Sequence, residues 1–300
     1  MVKIFKDLDQ FEIYRRNLDL EIKLLGTPHS IGVVPTMGNL HIGHLSLIHK
    51  SLKDNDTTMV TIYVNPKQFG PKEDFAKYPR TLKDDILKIK KLVKKQKHDS
   101  KNLIIYAPST DQDIYPSRFS SVISVKGLTE NLCGKVRPGH FDGVATVVYR
   151  LFAITKPDCA YFGQKDYQQY LMIKKMVHDL DLKINIYPMP TKRDENGLAL
   201  SSRNQFIKKD ERAKALSLPK TLTAIKKIFK KQSFEKAYPK AIKEIQKKMK
   251  DKSWEYLEVL DSVTLKEPTQ KTPILVIAGA LKLSNTRLID NKLVEVKYVH

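Results

Sequence analysis

Residues 29–54 read "HSIGVVPTMGNLHIGHLSLIHKSLKD". The β-branched run from Ile31 to Val34 ends in Pro35 and, after Thr36 and Met37, Gly38, the pattern of a strand that stops at a turn. Beyond it "HLSLIHKSLKD" is amphipathic at helical spacing. Strand, glycine-containing turn and helix in that order open an α/β unit. The first N–H groups of such a helix and its positive dipole end form a natural anion site at the mouth of the sheet. His41 and His44, separated only by Ile42 and Gly43, fall at that helix start, predicted near Gly43. Two imidazoles there can donate to phosphate oxygens and stabilise charge that develops in transfer. Gly43 lets a base or ribose approach the backbone. Alone, two histidines three residues apart read first as ordinary surface residues. Their place directly after strand, proline and glycine is what favours a nucleotide.

The same alternation runs outward from this unit. "TTMVTIYVN" (57–65) reads as a strand, 81–97 as a helix and "NLIIYAPS" (102–109) as a strand. "FDGVATVVYRLFAITK" (141–156) reads as a helix despite its valines, because its apolar positions wrap one face over a length no ordinary strand reaches. "DCAYFG" (158–163) and "KINIYPMP" (183–190) are strands around the helix "DYQQYLMIKKMVHDLD" (166–181). The fold class this predicts is α/β: a doubly wound, mostly parallel, Rossmann-like sheet covered on both faces, with ligands outside the carboxyl ends of its strands. After residue 190 the character changes. Residues 208–252 read as helices punctuated by Pro219 and Pro239, and 254–265, 272–281 and 286–296 as strands of a small sheet. The predicted division is a domain over 1–190 and a smaller α+β domain over 191–300.

Three hundred residues suffice for two such domains, and the 41% hydrophobic and 29% charged fractions are those of a globular chain. No apolar run reaches the ~18 to 20 residues that a membrane span needs, so no membrane partner is expected. The start, "MVKIFKDLDQFEIYRR", carries charges where a signal peptide needs an apolar core. Cys133 and Cys159 form no framework or metal spacing, which fits buried thiols in the cytoplasm. The net charge of +21, 54 basic against 33 acidic residues, would suit a polyanion. Much of it lies in 88–101 and 208–252, mixed with acids and apolar residues at helical spacing, and reads as solvated helix faces. Small anionic substrates fit it equally, and no nucleic-acid partner is expected.

A second chemical signal is "LALSSRN" (198–204), which follows the charged turn "TKRDENG" (191–197). Its two serines and arginine can cap a triphosphate with hydroxyl and guanidinium donors. A polar surface loop with Ser202 or Asn204 as a helix cap is the alternative reading.

These two motifs resemble those of the HIGH-motif nucleotidyltransferase superfamily. The blocks "VPTMGNLHIGHLSLI", "YVNPKQFGPKEDFAKYPRTLKDD", "LCGKVRPGHFDGVATVV", "YFGQKDYQQ", "LALSSRN" and "NTRLIDN" occur in the order found in the pantothenate synthetase (pantoate–β-alanine ligase) family, over almost the entire chain. The resemblance implies a homodimeric ligase that joins pantoate and β-alanine with ATP and Mg²⁺ and releases AMP and pyrophosphate. It assigns Met37, Gly38, Asn39, Leu40, His41, Ile42, Gly43 and His44 to ATP, with His44 as proton donor. It gives Gly163, Gln164, Lys165 and Asp166 to the nucleotide, Lys165 meeting phosphates and Asp166 the ribose. Lys192 would contact adenine through its backbone, and Leu200, Ser201, Ser202 and Arg203 form the ATP loop of the second domain, which also serves as the lid. Gln68 and Gln169 would hold pantoate, with Pro35, Met37, Arg137 and His140 lining the substrate site. His41, His44, Lys165 and Arg203 are the implied catalytic groups, and Asp84 and Asp85 lie near the metal. The sequence departs from relatives at Gln164, commonly Glu, and at Lys192, commonly apolar.

Local chemistry leaves other readings beside several of these. Gln68 and Gln169 are also ordinary polar caps, although two amides suit a ligand with a carboxylate and two hydroxyls. Asp84 and Asp85 open a helix, where acids are stabilising in any case. Arg137 and His140 could simply brace a loop. Two rival functions remain. Another nucleotidyltransferase would retain a nucleotidyl group in its product. An RNA-binding module would exploit the charge, but 205–300 is short for an anticodon-reading domain and shows no aromatic platform.

Overall fold

The computed structural model describes residues 2–71, 73–96 and 103–296. The ends of the expected helix at 81–97 and basic run at 88–101, and the first residue of the strand at 102–109, lie outside the described residues. The chain divides into two compact units, one made of residues 1–125, 138–164 and 172–189, the other of 126–137, 165–171 and 190–300. The main part of the second unit thus begins at Pro190, close to the expected division, but two earlier segments join it.

The first unit is built on strands β1 (Lys3–Phe5), β2 (Ile31–Thr36), β3 (Thr57–Ile62), β4 (Leu103–Tyr106), β5 (Cys159–Gly163) and β6 (Asn185–Met189). They form one sheet in the order β1-β4-β3-β2-β5-β6, parallel throughout. Helices α1 (Leu8–Leu25), α2 (Ile42–Asp54), α3 (Leu82–Gln96), α5 (His140–Thr155) and α6 (Tyr167–Asp179) connect them; α4 (Leu132–Val136) belongs to the second unit. Every residue of β3 is buried, as expected for a strand covered on both faces. Helix α2 packs so tightly on β2 that a Cβ at Gly32 would lie 2.3 Å from Ser51 Oγ. The sheet grows from β2 toward β3 and β4 on one side and toward β5 and β6 on the other. That reversal places the crevice of a doubly wound sheet beyond the ends of β2 and β5.

Strand β1 and helix α1 went unpredicted. Three residues are too few to display a period. In α1 the exposed Leu20, Leu24 and Leu25 blur the stripe set by buried Phe11 and Leu18. The helix is nonetheless well bounded: Asp7 Oδ1 accepts the Gln10 N–H, and Gly26 closes it at φ 63°.

In the second unit α7 (Arg212–Lys231) and α8 (Phe234–Met249) pack on an antiparallel sheet of β7 (Trp254–Asp261), β8 (Ile274–Lys282) and β9 (Arg287–Glu295). Central β8 is buried along Leu275–Leu281 and meets α7 at Gly279, where a Cβ would lie 3.0 Å from Leu218 Cδ1. Phe229, wholly buried in this core, contributes roughly 1.5–3 kcal/mol by leaving water. Pro219 and Pro239 lie inside these helices and end neither. Proline's φ is helical, and the lost N–H bond is tolerated where tertiary packing holds the helix. The break falls instead at Gln232–Ser233. Among the described residues no helix is long and apolar enough to cross a membrane.

Candidate active site

Strand β2 ends at half-buried Pro35 and buried Thr36, whose hydroxyl donates to Thr61 O (2.8 Å) and accepts the Gly38 N–H (3.2 Å). The chain then turns through two left-handed residues, Gly38 at φ 82° and Asn39 at φ 48°. Such a turn points successive N–H groups inward, and here they meet Asp85 from the first turn of α3. Its Oδ2 accepts from Asn39 (2.8 Å) and Thr81 Oγ1 (3.1 Å), its Oδ1 from Leu40 (2.7 Å), and the residue is wholly buried. Lys88 Nζ donates to Leu40 O at 2.8 Å and closes the clamp.

Helix α2 begins at exposed Ile42, one residue before the expected start, with His41 as its N-cap. His41 Nδ1 accepts the Gly43 N–H (3.1 Å) and His44 Nδ1 accepts the His41 N–H (3.3 Å), a capping box made by two imidazoles. The rings lie 4.1 Å apart between centroids. Because each Nδ1 accepts from a backbone donor, the proton of each neutral ring sits on Nε2. Both histidines are therefore preset as Nε2–H donors.

Below this turn, the one-turn 3₁₀ segment Pro66–Gln68 follows β3. Gln68 Nε2 donates to Met37 Sδ (3.0 Å), and the Gln68 carbonyl accepts from His140 Nδ1 (2.8 Å). The structure thus brings Met37, Gln68 and His140 together, and His140 braces the backbone of Gln68. Helix α5 approaches so closely that a Cβ at Gly143 would lie 2.1 Å from Lys67 O.

Of the two expected metal-site residues, Asp84 is exposed on the first turn of α3. Asp85 is buried, and both its oxygens accept N–H groups of the 38–40 turn, so it shapes that backbone. Among the described residues no group of three or more His, Cys, Asp or Glu side chains could hold a metal ion. The donor set does not fit a protein-built Mg²⁺ site.

The first unit also carries Gly163 and Gln164, where β5 runs straight into the 3₁₀ turn Gln164–Asp166. In the second unit, Lys165 Nζ lies 3.4 Å from Asp166 Oδ1, and Asn291 Nδ2 holds the Lys165 carbonyl at 2.9 Å. Gln169 is half-buried on α6. Its neighbour Gln168 is buried and does structural work. Its amide nitrogen donates to Leu128 O and Asn131 O, both at 2.8 Å, and its oxygen accepts from Cys133 N at 3.0 Å. Arg137 sits at the end of α4, its N–H on Cys133 O.

The ATP-loop candidates lie on a hairpin closed by the bridge Arg193–Ala199 and by Leu200 N donating to Lys192 O at 2.9 Å. The Lys192 side chain is exposed and Leu200 is half-buried. Asp194 shapes the tip, its Oδ1 accepting from Asn196 (3.0 Å) and Leu198 (2.9 Å). Burial alone would raise the Asp194 carboxyl, but the Leu198 N–H and the Arg212 guanidinium outweigh it and hold it below the usual carboxylate range. Arg193 forks onto buried Asp290 at 2.7 and 2.9 Å. Ser201 caps the 3₁₀ segment Ser202–Phe206 by accepting the Arg203 N–H at 3.3 Å. Sequence reasoning assigned no role to Asn65 or Asp290, and did not see that Asp85 holds the 38–40 turn. Asn65 left a trace in its Asn-Pro turn and Asp290 in the block "NTRLIDN".

A parallel sheet that reverses direction at β2, with a histidine-capped helix start beyond that strand, defines the class: an α/β nucleotide-binding protein of the HIGH-motif kind. Comparison with known proteins narrows it. Residues 4–293 match the family model described as pantoate-beta-alanine ligase, and the chain belongs to that family. It is 45% identical over 279 residues to a pantothenate synthetase of Caldicellulosiruptor saccharolyticus, covering 93% of this chain and 96% of the relative. It is likewise 45% identical to one of Acetivibrio thermocellus, over 89% and 92% of the two chains. The crystal structure of a pantothenate synthetase from Thermus thermophilus superposes with a TM-score of 0.82 at 33% identity, covering 97% and 99% of the chains. A pantoate-beta-alanine ligase from Francisella tularensis, solved with beta-gamma ATP and beta-alanine, gives 0.72 at 32% identity and 98% of both chains.

Proposed function

We propose that this protein is an ATP-dependent ligase that condenses pantoate with β-alanine to pantothenate, releasing AMP and pyrophosphate. Family membership over residues 4–293 supports the reaction. The observation that carries the chemistry is the pair of imidazoles locked as Nε2–H donors by their own capping box. In the first step pantoate's carboxylate oxygen attacks the α-phosphorus of ATP, the bond to the β-phosphate oxygen breaks and pyrophosphate leaves. His41 and His44 donate to phosphate oxygens as charge builds on them, and Lys165, Ser201, Ser202 and Arg203 supply further donors and positive charge. In the second step β-alanine's amine attacks the acyl carbon of pantoyl adenylate, AMP departs and the amine loses a proton. Position and electrostatics do the work, with no covalent nucleophile from the chain.

Gln68 and Gln169 hold pantoate, with Pro35, Met37, Arg137 and His140 around it. Gly163, Gln164, Asp166, Lys192 and Leu200 complete the nucleotide contacts. Mg²⁺ enters this reading as a companion of ATP, and no step is assigned to it. The proposed setting is the cytoplasm and the proposed assembly a homodimer, which sedimentation of the purified protein tests.

Incubation with ATP, Mg²⁺, pantoate and β-alanine should yield AMP only when both acids are present. A product that retains a nucleotidyl group, or salt-sensitive RNA binding without turnover, overturns the reading. His44→Ala and Lys165→Ala should each cut pyrophosphate release by about 10²–10³-fold with little change in melting temperature. A folded Lys165→Ala protein that releases pyrophosphate normally removes that residue from the mechanism.

A further inference from the structure

Gln68 sits in a hydrogen-bond chain whose direction can be deduced from backbone groups alone. Asn65, 1% exposed, lies at its centre. One end of its amide accepts the Lys67 N–H at 3.2 Å, and a backbone N–H can only donate, so that end is oxygen. The other end meets Gly143 O at 3.1 Å, and a carbonyl can only accept, so that end is nitrogen. The same nitrogen lies 3.1 Å from the Gln68 amide, which must therefore turn its oxygen toward Asn65 and its nitrogen away, to the side of Met37. At the head of the chain the buried Tyr115 hydroxyl lies 2.7 Å from Asn65 Oδ1 and donates to it. Burial, and then the nearby Asp111 carboxylate, push that phenol above its ordinary pKa, so it keeps the proton it donates.

We infer that Tyr115 is a positioning residue for the acid substrate: through Asn65 it fixes the Gln68 amide so that N–H, not C=O, is presented to pantoate. This rests on the assignment of Gln68 to pantoate made above. Without the phenol, Asn65 Oδ1 keeps one donor, and the barrier to turning both amides falls. A reversed Gln68 would offer an oxygen lone pair where an N–H should meet pantoate's carboxylate, which can only accept. The conservative change Tyr115→Phe removes the hydroxyl and keeps the ring packed against Phe119, 5.1 Å away between centroids.

Tyr115→Phe should raise the KM for pantoate about tenfold, the worth of one net hydrogen bond, while the KM for ATP stays within twofold. A double-mutant cycle with Gln68→Ala separates relay from packing. In the Gln68→Ala background the Tyr115 change should leave pantoate binding unaltered. An unchanged pantoate KM in Tyr115→Phe, equal rises in both KM values, or additive losses in the cycle would overturn the inference. Nitrogen-15 spectra of the ligand-free protein give a readout independent of turnover. The side-chain amide of Gln68, assigned by its loss in Gln68→Ala, should be a single sharp pair in the wild type and broadened or doubled in Tyr115→Phe. An identical pair in both proteins also overturns it. A wild type that shows the locked amide but makes no AMP would sink the proposed function and leave the relay standing.

Discussion

The turn at 36–44 and the hairpin at 192–200 both hang on aspartates, in different ways. In the first, buried Asp85 reaches in from α3 and takes the N–H groups of Asn39 and Leu40 directly, so a residue distant in sequence dictates backbone shape. In the second, shape comes from within, through Asp194 and the N–H groups of Asn196 and Leu198. The distant carboxylate, Asp290, takes the Arg193 guanidinium and, on its own strand, the Asn291 N–H. It anchors the loop without bending it. A site whose donors must be preset needs its backbone fixed from outside. The hairpin, proposed above to meet ATP, carries its own turn and is pinned at one point.

The harshest way to break this contrast is Arg193→Met, which leaves the Asp290 carboxylate, 3% exposed, without its guanidinium and with only the Asn291 N–H on its Oδ1. The expected loss is about 3–5 kcal/mol in urea unfolding, and Asp290→Asn in the same chain should recover part of it. If Arg193→Met costs no more than a surface change, the pin is not structural. Next comes Asp85→Ala, which orphans two N–H groups at a left-handed turn. It should cost about 3 kcal/mol, and Asp85→Asn, which keeps one acceptor, roughly half. Asp85→Ala should also weaken ATP binding, because the His41–His44 cap follows directly from that turn. Unaltered ATP affinity in a destabilised Asp85→Ala protein would mean that the cap needs no outside brace.

Asp194→Ala should be milder, about 1–2 kcal/mol, since the loop is partly solvated and its bridge to Ala199 survives. The smallest effect sharpens the comparison by pH. The folded Asp194 carboxyl is held below its ordinary range, so its contribution is complete above the unfolded-state pKa and disappears as pH falls through the folded value. The difference in melting temperature between wild type and Asp194→Asn should be level from pH 8 to about 5 and close below about pH 4. A gap that widens in acid would reverse the sign and refute the assignment.

Legibility in the sequence follows the same line between local and distant causes. Alternating strand and helix periods revealed β2 to β6 and their helices, and the three C-terminal strands, because each pattern is written within a dozen residues. The His-Ile-Gly-His helix start was legible for the same reason: a cap lies within one turn of what it caps. The mutual capping that fixes the tautomers was not, since it depends on ring rotamers. The hold of Asp85 on the 38–40 turn was not legible, because nothing near Thr81–Asp85 announces a partner 45 residues earlier. The buried Gln168 amide ties segments 126–137 and 165–171 to each other through Leu128, Asn131 and Cys133, and Tyr167 Oη on Ser262 O and Asn131 Nδ2 on Leu265 O tie them to the rest of the second unit. In sequence Gln168 is indistinguishable from Gln169.

By itself the sequence determined the sheet, the order of its strands' motifs and the family, because hydrophobic period, turn residues and short motifs act over the few residues that a turn or strand spans. Tertiary structure alone decided which carboxylate bends the turn, which way each amide points and which imidazole nitrogen keeps its proton. Those choices belong to hydrogen bonds between residues far apart in the chain, and such bonds exist only once the core has brought their partners within 3 Å or so of each other.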